Sequence, residues 1–295
     1  EMTVRIAYNL FTQKPGGELN DFKNWVKTTK PGAGSDFYRM NGAGEMLVFS
    51  AADFEDFLEP RPDLPPTLET ELKDVVTLLA ENKWPFRLHA TYDESITRFL
   101  NVFEEVNRKA PLDGLHWFFD HCETISDHNL ERVRALGGGI AVQHRMAYQG
   151  EYFIERYGAK AVERTPPFKR MLEMGVQVGA GTDATRVASY DPWNALWWLT
   201  TGKTVGDFLH GEEFAPLQQL QVHLGGPVAQ DQLTFSSFWW SRKLGLRWAI
   251  RLSAKDAVAH AHRPGRIVRA YIGYSGWTAG QLENELRRNS WIAAR

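Results

Sequence analysis

Short apolar runs that end on a polar residue alternate with amphipathic segments between residues 84 and 200. The run "PFRLHA" is followed by "DESITRFLNVFEEVNRK", in which Asp93 is a favourable N-cap. The apolar residues of this second segment recur at the three- and four-residue spacing of one helix face: Ile96, Phe99, Leu100, Phe103 and Val106. The pattern therefore predicts a strand followed by a helix.

The same pattern recurs along the chain. "LHWFFDHCE" precedes "SDHNLERVRALGGG", "GIAVQHR" precedes a partly irregular helical stretch to Met174, and "VQVGAG" precedes a helix around "PWNALWWLTTG". Earlier, "TVRIAYNL" and "EMLVFS" are typical of strands, and "LETELKDVVTLLAEN" is typical of a helix. Strands that alternate with helices predict an α/β fold with a parallel sheet.

Four predicted strands end on a residue that can bind a metal or transfer a proton: His89, His121, His144 and Asp183. Barrels and doubly wound sheets place their active sites at the carboxyl ends of strands, so we expect these side chains to converge. Imidazole nitrogens and carboxylate oxygens are ligands of zinc and similar ions. Two structural alternatives stay open, because a strand-end histidine can belong to the core and Asp183 can cap a helix.

The composition of the chain mainly excludes certain classes of partner and of covalent cross-link. The 295 residues are 43% hydrophobic and carry a formal net charge of −2, which predicts no nucleic-acid partner and no membrane partner. The single cysteine, Cys122, excludes an internal disulfide framework and suits a cytoplasmic protein. No signal-like segment follows Glu1, and the amino end is expected to be incomplete. A small-molecule substrate is expected, and homo-oligomerisation stays open.

Several segments resemble the amidohydrolase superfamily, specifically its amidohydrolase-3 branch of N-substituted formamide deformylase-like proteins. The resemblance runs from about Thr3 to Gly206. It is carried by "NGAGEMLVFSAADFEDFLEPRPDLP", "RLHATYDE", "FFDHCETIS", "QHRM" and "GVQVGAGTDA". It implies a (β/α)8 barrel that hydrolyses C–N bonds with a metal-activated water, and it implies a divalent metal, zinc first, as the cofactor.

Carried over by position, the resemblance also implies roles for individual residues. His89 and His121 match the metal-binding histidines of the family's fifth and sixth strands. Asp183 matches the eighth-strand aspartate, which is both a metal ligand and the catalytic proton acceptor. His144 matches a seventh-strand position that varies more within the family, and contact with substrate is expected there. The adjacent Arg145 is placed with it in the substrate-binding set.

Two departures from the family pattern leave a second function open. The family's first strand carries a His-x-His pair, and the "HAH" at residues 260 to 262 lies instead in an alanine-rich helical segment near the far end. The region where many relatives carry a bridging lysine reads "DFYRMNGAGE". A catalytic zinc usually keeps three protein ligands, so weak zinc retention is expected. The alternative function is a catalytically silent chain that acts as an interaction module.

The tail resembles a different family, the AlgH family of small α/β proteins, over about residues 203 to 295. The resemblance is carried by "QVHLGGPVAQDQLTF" and "YIGYSGWTAGQLENELRRNSWI" and covers the latter half of such a domain. Trp239, Trp240 and Trp277 could mark a partner surface, although core packing is the favoured interpretation.

The two resemblances meet at "TGKTVG", residues 201 to 206. The predicted organisation is a partial (β/α)8 TIM barrel over residues 1–206 that lacks its first strands, followed by a small α/β AlgH-like lobe over residues 207–295. Both pieces would leave sheet edges unpaired. We expect the tail to pack as a separate lobe rather than along the barrel edge.

Overall fold

The structure is a computed structural model. It describes residues 4–54, 57, 60–183, 191–202, 214–218, 220, 222–225, 228–274, 284 and 287. The chain divides into two compact units, Glu1–Thr182 and Asp183–Arg295. Trp277, for which a partner surface and core packing were both considered, lies outside the described residues.

Strands and helices alternate along the first unit. The strands are β1 (Ile6–Leu10), β2 (Tyr38–Ala43), β3 (Arg87–Ala90), β4 (Phe118–His121), β5 (Gly139–Gln143) and β6 (Gln177–Gly181). The helices are α1 (Glu18–Thr28), α2 (Leu68–Glu81), α3 (Asp93–Asn107), α4 (Asp127–Ala135), α5 (Met146–Tyr157), α6 (Ala159–Val162) and α7 (Phe168–Glu173). A 3₁₀ turn lies at Phe49–Ala51.

The strands of the first unit pair in chain order. Strands β3, β4, β5 and β6 form a parallel four-stranded sheet, and β1 pairs parallel with β2. A parallel bridge between Ala43 and Phe86 joins the end of β2 to the chain just before β3. Parallel neighbours in chain order place the carboxyl ends of all these strands on one side, which is where the predicted site residues lie.

The core of the first unit is aromatic beneath β3 and β4. Phe86, Phe103, Trp117 and Phe119 are buried and contact one another, with ring centroids 5.0 to 6.1 Å apart. Helix α3 contributes Phe103 from the apolar face that its sequence spacing predicted. This packing fixes the two strands that carry His89 and His121.

Most of the predicted elements of the first unit are confirmed, and two details are wrong. "EMLVFS" is not a strand: it follows β2 as a buried loop that leads into the 3₁₀ turn. Asp93 does not cap α3, because Tyr92 occupies the N-cap position. The Asp93 carboxylate instead accepts hydrogen bonds from Ser126 N at 2.7 Å and Asn129 Nδ2 at 2.7 Å, which ties α3 to the start of α4.

Gly138 provides a test of the packing around the buried Trp117 ring. A Cβ added at Gly138 would lie 2.2 Å from the ring of Trp117, which is buried and donates from Nε1 to Leu136 O at 3.1 Å. Because the ring cannot move away without breaking that contact, we expect Gly138→Ala to lower the free energy of unfolding by about 1–3 kcal/mol. Urea denaturation would measure it, and an unchanged midpoint would contradict the packing described.

The second unit combines short helices with a mixed sheet. Its elements are α8 (Pro192–Thr201), α9 (Ala215–Gln218), β7 (Val222–Leu224), β8 (Val228–Ser241), β9 (Gly245–Leu252), α10 (Ala254–Ala261) and β10 (Arg266–Tyr274). The sheet order is β7-β10-β8-β9, with β7 parallel to β10 and the other pairs antiparallel. The "HAH" segment lies at the end of helix α10, as its alanine-rich sequence predicted. Among the described helices, none has the length and apolar character needed to cross a membrane.

Candidate metal centre

His89 and His121 lie side by side at the carboxyl ends of β3 and β4. The two strands pair in register with Ala90 opposite His121, and the imidazole centroids are 4.4 Å apart. Both side chains are almost fully buried. Burial holds the pKa of each histidine well below its ordinary value, so both rings are neutral near pH 7 and each keeps a lone pair for a metal. The predicted convergence of these two residues is therefore observed.

Glu45 is a third member of this cluster that the sequence reasoning missed. It follows the carboxyl end of β2 by two residues, and its Oε1 lies 3.9 Å from His89 Nδ1. Its Oε2 lies 3.8 Å from His121 Nε2. One ligand atom from each of the three residues falls within 4.8 Å of the others. The rule that located the histidines, a polar side chain just after a strand, would also have located Glu45 if β2 had been recognised.

The donor set fits a divalent metal. Two ligands on a tetrahedral zinc with bonds of about 2.0–2.1 Å lie roughly 3.3 Å apart, so the observed carboxylate–imidazole distances need only a small contraction. His89 Nδ1, the atom that faces Glu45, is buried without a hydrogen-bond partner, and an unpartnered buried nitrogen is unusual in a protein core. Two imidazoles and one carboxylate are ligands that zinc and similar ions accept.

Asp53 supports His89 from the side away from Glu45. Its Oδ1 lies 3.5 Å from His89 Nε2, and its Oδ2 accepts hydrogen bonds from the backbone of Thr91 at 2.8 Å and Tyr92 at 3.0 Å. His89 Nε2 also lies 3.1 Å from Thr91 Oγ1. Burial raises the pKa of Asp53 to about 6, and the two backbone donors oppose that rise. A proton on His89 Nε2 would face this carboxylate, and Nδ1 would then face Glu45 with its lone pair.

The backbone at the end of β4 is strained. His121 has a φ of +78° and Cys122 a φ of +57°, in the left-handed region that residues with a Cβ rarely adopt. Such positions cost about 1–3 kcal/mol each and concentrate at functional sites. At this turn the His121 ring lies with its Nε2 3.8 Å from Glu45 Oε2.

His144 and Arg145 follow the carboxyl end of β5 and are both buried. The His144 ring packs edge-on against Tyr148, with centroids 5.6 Å apart. Arg145 donates from Nε to Glu123 Oε1 at 2.6 Å, and its guanidinium lies over the Phe57 ring. Contact of these two residues with a substrate stays a prediction.

Asp183 follows the carboxyl end of β6 by two residues and is the first residue of the second unit. Its φ of +53° is also left-handed. The next described helix, α8, is capped by Asp191, whose side chain accepts a hydrogen bond from Trp193 N. The proposed capping of that helix by Asp183 is therefore wrong, whereas a role for Asp183 as ligand and proton acceptor stays a prediction.

Parallel strands in chain order, with two imidazoles and a carboxylate at their carboxyl ends, define an α/β protein with a candidate metal centre. The model of the amidohydrolase family matches residues 1–224, and the chain belongs to that family.

A second model, described as AlgH-like, matches residues 199–295, so the two matches overlap. UPF0301 proteins are similar to part of the chain. The one from Parabacteroides distasonis is 32% identical over 97 residues, covering 28% of this chain and 46% of that protein. The one from Ralstonia pickettii is 34% identical over 90 residues, covering 28% and 47%. The chain thus spans about half the length of the curated relatives it matches.

Solved structures of uncharacterised metal-dependent hydrolases are also similar. The one from Pyrococcus furiosus superimposes with a TM-score of 0.48 at 16% identity, covering 66% of this chain and 40% of that one. The one from Pyrococcus horikoshii has a TM-score of 0.46 at 20% identity, with the same coverage.

Proposed function

We propose that the first unit and the chain that follows it form part of a (β/α)8 barrel that hydrolyses C–N bonds of small molecules with a divalent metal. The observation that carries the proposal is the cluster of Glu45, His89 and His121 at the carboxyl ends of parallel strands. Membership of the amidohydrolase family agrees with a hydrolase fold. The boundary between barrel and AlgH-like lobe is proposed near residue 206, where the two family resemblances meet.

In this proposal Glu45, His89 and His121 would hold the ion. A divalent ion there would polarise a substrate carbonyl and lower the pKa of a coordinated water toward neutrality. Glu45 is the one partly exposed member, with a side chain 34% accessible, so the cluster is open to solvent on its side. Asp183 is our candidate for the group that accepts a proton, on the family resemblance, and zinc is the first candidate ion.

Asp53 and Thr91 would hold His89 in one tautomer and one orientation. Both lie on the Nε2 side of the ring, so Nδ1 keeps its lone pair on the Glu45 side. Arg145 and Glu123 form a buried ion pair, and Arg145 Nη2 reaches Thr91 Oγ1 at 3.4 Å. These contacts would link the proposed substrate-binding residues to the metal ligands.

Metal titration tests the proposal. We expect the chelator-treated chain to bind one Zn²⁺ or Co²⁺, measured by calorimetry and by the visible absorption of bound Co²⁺. His121→Asn should remove this binding because it deletes one of three ligands. His128→Asn is the matched control, since His128 is exposed on α4.

Hydrolysis is measured on the same samples. A panel of N-formyl and N-acetyl amines should release amine in the presence of the ion and not in its absence. Binding without hydrolysis would favour the alternative function, a catalytically silent chain, which the missing His-x-His pair also favours. No ion binding by the unsubstituted chain would refute the metal centre.

A further inference from the structure

The sheet of the second unit presents one apolar face to solvent. Alternation along the paired strands places six side chains on this face, which we call the open face: Phe238, Trp240, Leu246, Trp248, Ile250 and Ile267. Trp240 is 73% exposed and Trp248 is 61% exposed. Core packing of Trp240, the interpretation favoured from the sequence, is therefore wrong.

Helix α10 lies against the opposite face of the sheet. His260 on α10 contacts the ring of Trp239, which points away from Trp240, with centroids 6.0 Å apart. Ala257 of the same helix is fully buried. The sheet thus has one face covered by a helix and one face that exposes aromatic rings.

The segment that carries four of the six open-face residues is basic in sequence, in contrast to the net charge of −2 for the whole chain. Residues 242–269, which we call the basic segment, contain one acidic residue, Asp256. They contain eight basic ones: Arg242, Lys243, Arg247, Arg251, Lys255, Arg263, Arg266 and Arg269. All of these are exposed except Arg266, which is half-buried. The average over the chain conceals this local excess.

Three of these basic side chains lie on or beside the open face, whereas Arg247 and Arg266 pair with Trp239 and lie on the face that α10 covers. Arg269 lies two residues after Ile267 on β10, so it shares the open face. Arg242 and Lys243 form the turn that joins Trp240 to Leu246 across β8 and β9. Within the described residues, Arg242 and Lys243 form no ion pair, so their charges are available to an anion.

We propose that the open face binds single-stranded nucleic acid, with bases stacked on Trp240 and Trp248 and phosphates paired with Arg242, Lys243 and Arg269. Aromatic side chains on an open sheet stack bases without regard to sequence, and flanking cations bind the phosphates. The cations on or beside the open face are Arg242, Lys243 and Arg269, and the planar fork of arginine suits phosphate oxygens. This departs from the expectation of no nucleic-acid partner, which rested on net charge alone.

Two other occupants of the open face fit less well. A second copy of the chain would bring two basic segments together, and their like charges would repel. Insertion of the open face into a lipid bilayer would take β9, which lies at the edge of the described sheet, into the hydrocarbon region and strip water from its unpaired backbone groups. A polyanion with flat bases avoids both costs.

Fluorescence anisotropy with labelled 20-nucleotide oligo-dT and oligo-U tests the proposal on the full chain. We expect binding at 50 mM salt that weakens roughly 20-fold to 100-fold at 200 mM, as for about three to five phosphate contacts. Trp248→Ala should weaken binding by about 5-fold to 100-fold, the effect of losing one stacked base. Trp193→Ala is the matched control, because Trp193 is also 61% exposed but lies on α8.

Trp248→Phe keeps a ring and should bind nearly as well as the unsubstituted chain, which separates stacking from a folding defect. Absence of oligonucleotide binding at 50 mM salt would overturn the proposal. So would equal losses for Trp248→Ala and Trp193→Ala, or binding of inorganic polyphosphate with the same affinity as the oligonucleotides. Preferential binding to phosphatidylserine vesicles, or self-association through the open face in ultracentrifugation, would assign the face to a different occupant.

Discussion

Glu123→Ala should lower the free energy of unfolding of this chain by about 3–5 kcal/mol, the usual cost of leaving one charge of a buried ion pair without its partner. The Glu123 side chain is 1% exposed and that of Arg145 is 6% exposed, with Nε and Oε1 2.6 Å apart. Without the carboxylate, the Arg145 guanidinium would stay buried between Thr91 and the Phe57 ring with its main charge partner removed.

The chain offers a matched control in the pair of Glu104 and Arg132. Its Nε–Oε1 distance is 2.7 Å, almost the same, but the Glu104 side chain is 40% exposed. We expect Glu104→Ala to cost less than about 1 kcal/mol, because solvent screens an exposed pair. Urea denaturation of both variants gives the comparison.

A double variant separates charge from packing. Adding Arg145→Leu to Glu123→Ala removes the unpaired charge, so part of the lost stability should return. If Glu123→Ala lowers the free energy of unfolding no more than Glu104→Ala does, burial adds nothing to the contribution of the Glu123–Arg145 pair. If the double variant is less stable than Glu123→Ala alone, the loss reflects packing rather than charge.

The alternation of short apolar runs with amphipathic segments was sufficient to predict the strands β3 to β6 and the helices between them. The side chains of β3, β4 and β5 are mostly buried, and the apolar spacing differs clearly between these strands and the helices. The same pattern placed His89 and His121 at strand ends, and the structure brings their rings together.

Strand β2 and Glu45 could not be found this way. The segment "YRMNGAGE" is rich in residues that weaken strands, and the apolar "EMLVFS" after it resembles a strand more closely. A Cβ at Gly44 would lie 2.0 Å from Arg87 O, so this residue must be glycine for the chain to pass beside β3. Tertiary proximity, rather than local propensity, decides this part of the fold.

The open face shows a different limit of prediction from sequence. Trp240 and Trp248 are apolar, and sequence alone cannot distinguish a buried aromatic residue from an exposed one. Only the strand register and the position of α10 show which face of the sheet is covered. Net charge has a related limit, because it averages the basic segment with acidic residues elsewhere.

Asp53→Asn should weaken metal binding by about 10-fold to 100-fold, as expected for the loss of a carboxylate that orients a ligating histidine. Asp53 Oδ1 lies 3.5 Å from His89 Nε2, and the carboxylate is itself held by two backbone N–H groups. The amide keeps the shape and one acceptor oxygen, but it lacks the negative charge that would favour a proton on Nε2. Nδ1 would then carry the proton part of the time and would not be free for the ion.

Calorimetric titration with Zn²⁺ measures the change, and Asp74→Asn on the exposed face of α2 is the control. A purely structural role for Asp53 would lower the melting temperature of the metal-free chain and leave the affinity of the folded chain unchanged. Long-range ¹H–¹⁵N correlation spectra of the metal-free chain provide the decisive readout, because they report the protonation of each ring nitrogen. We expect one His89 tautomer with a proton on Nε2 in the unsubstituted chain and a mixture in Asp53→Asn. The same tautomer in both proteins would show that Asp53 does not orient His89.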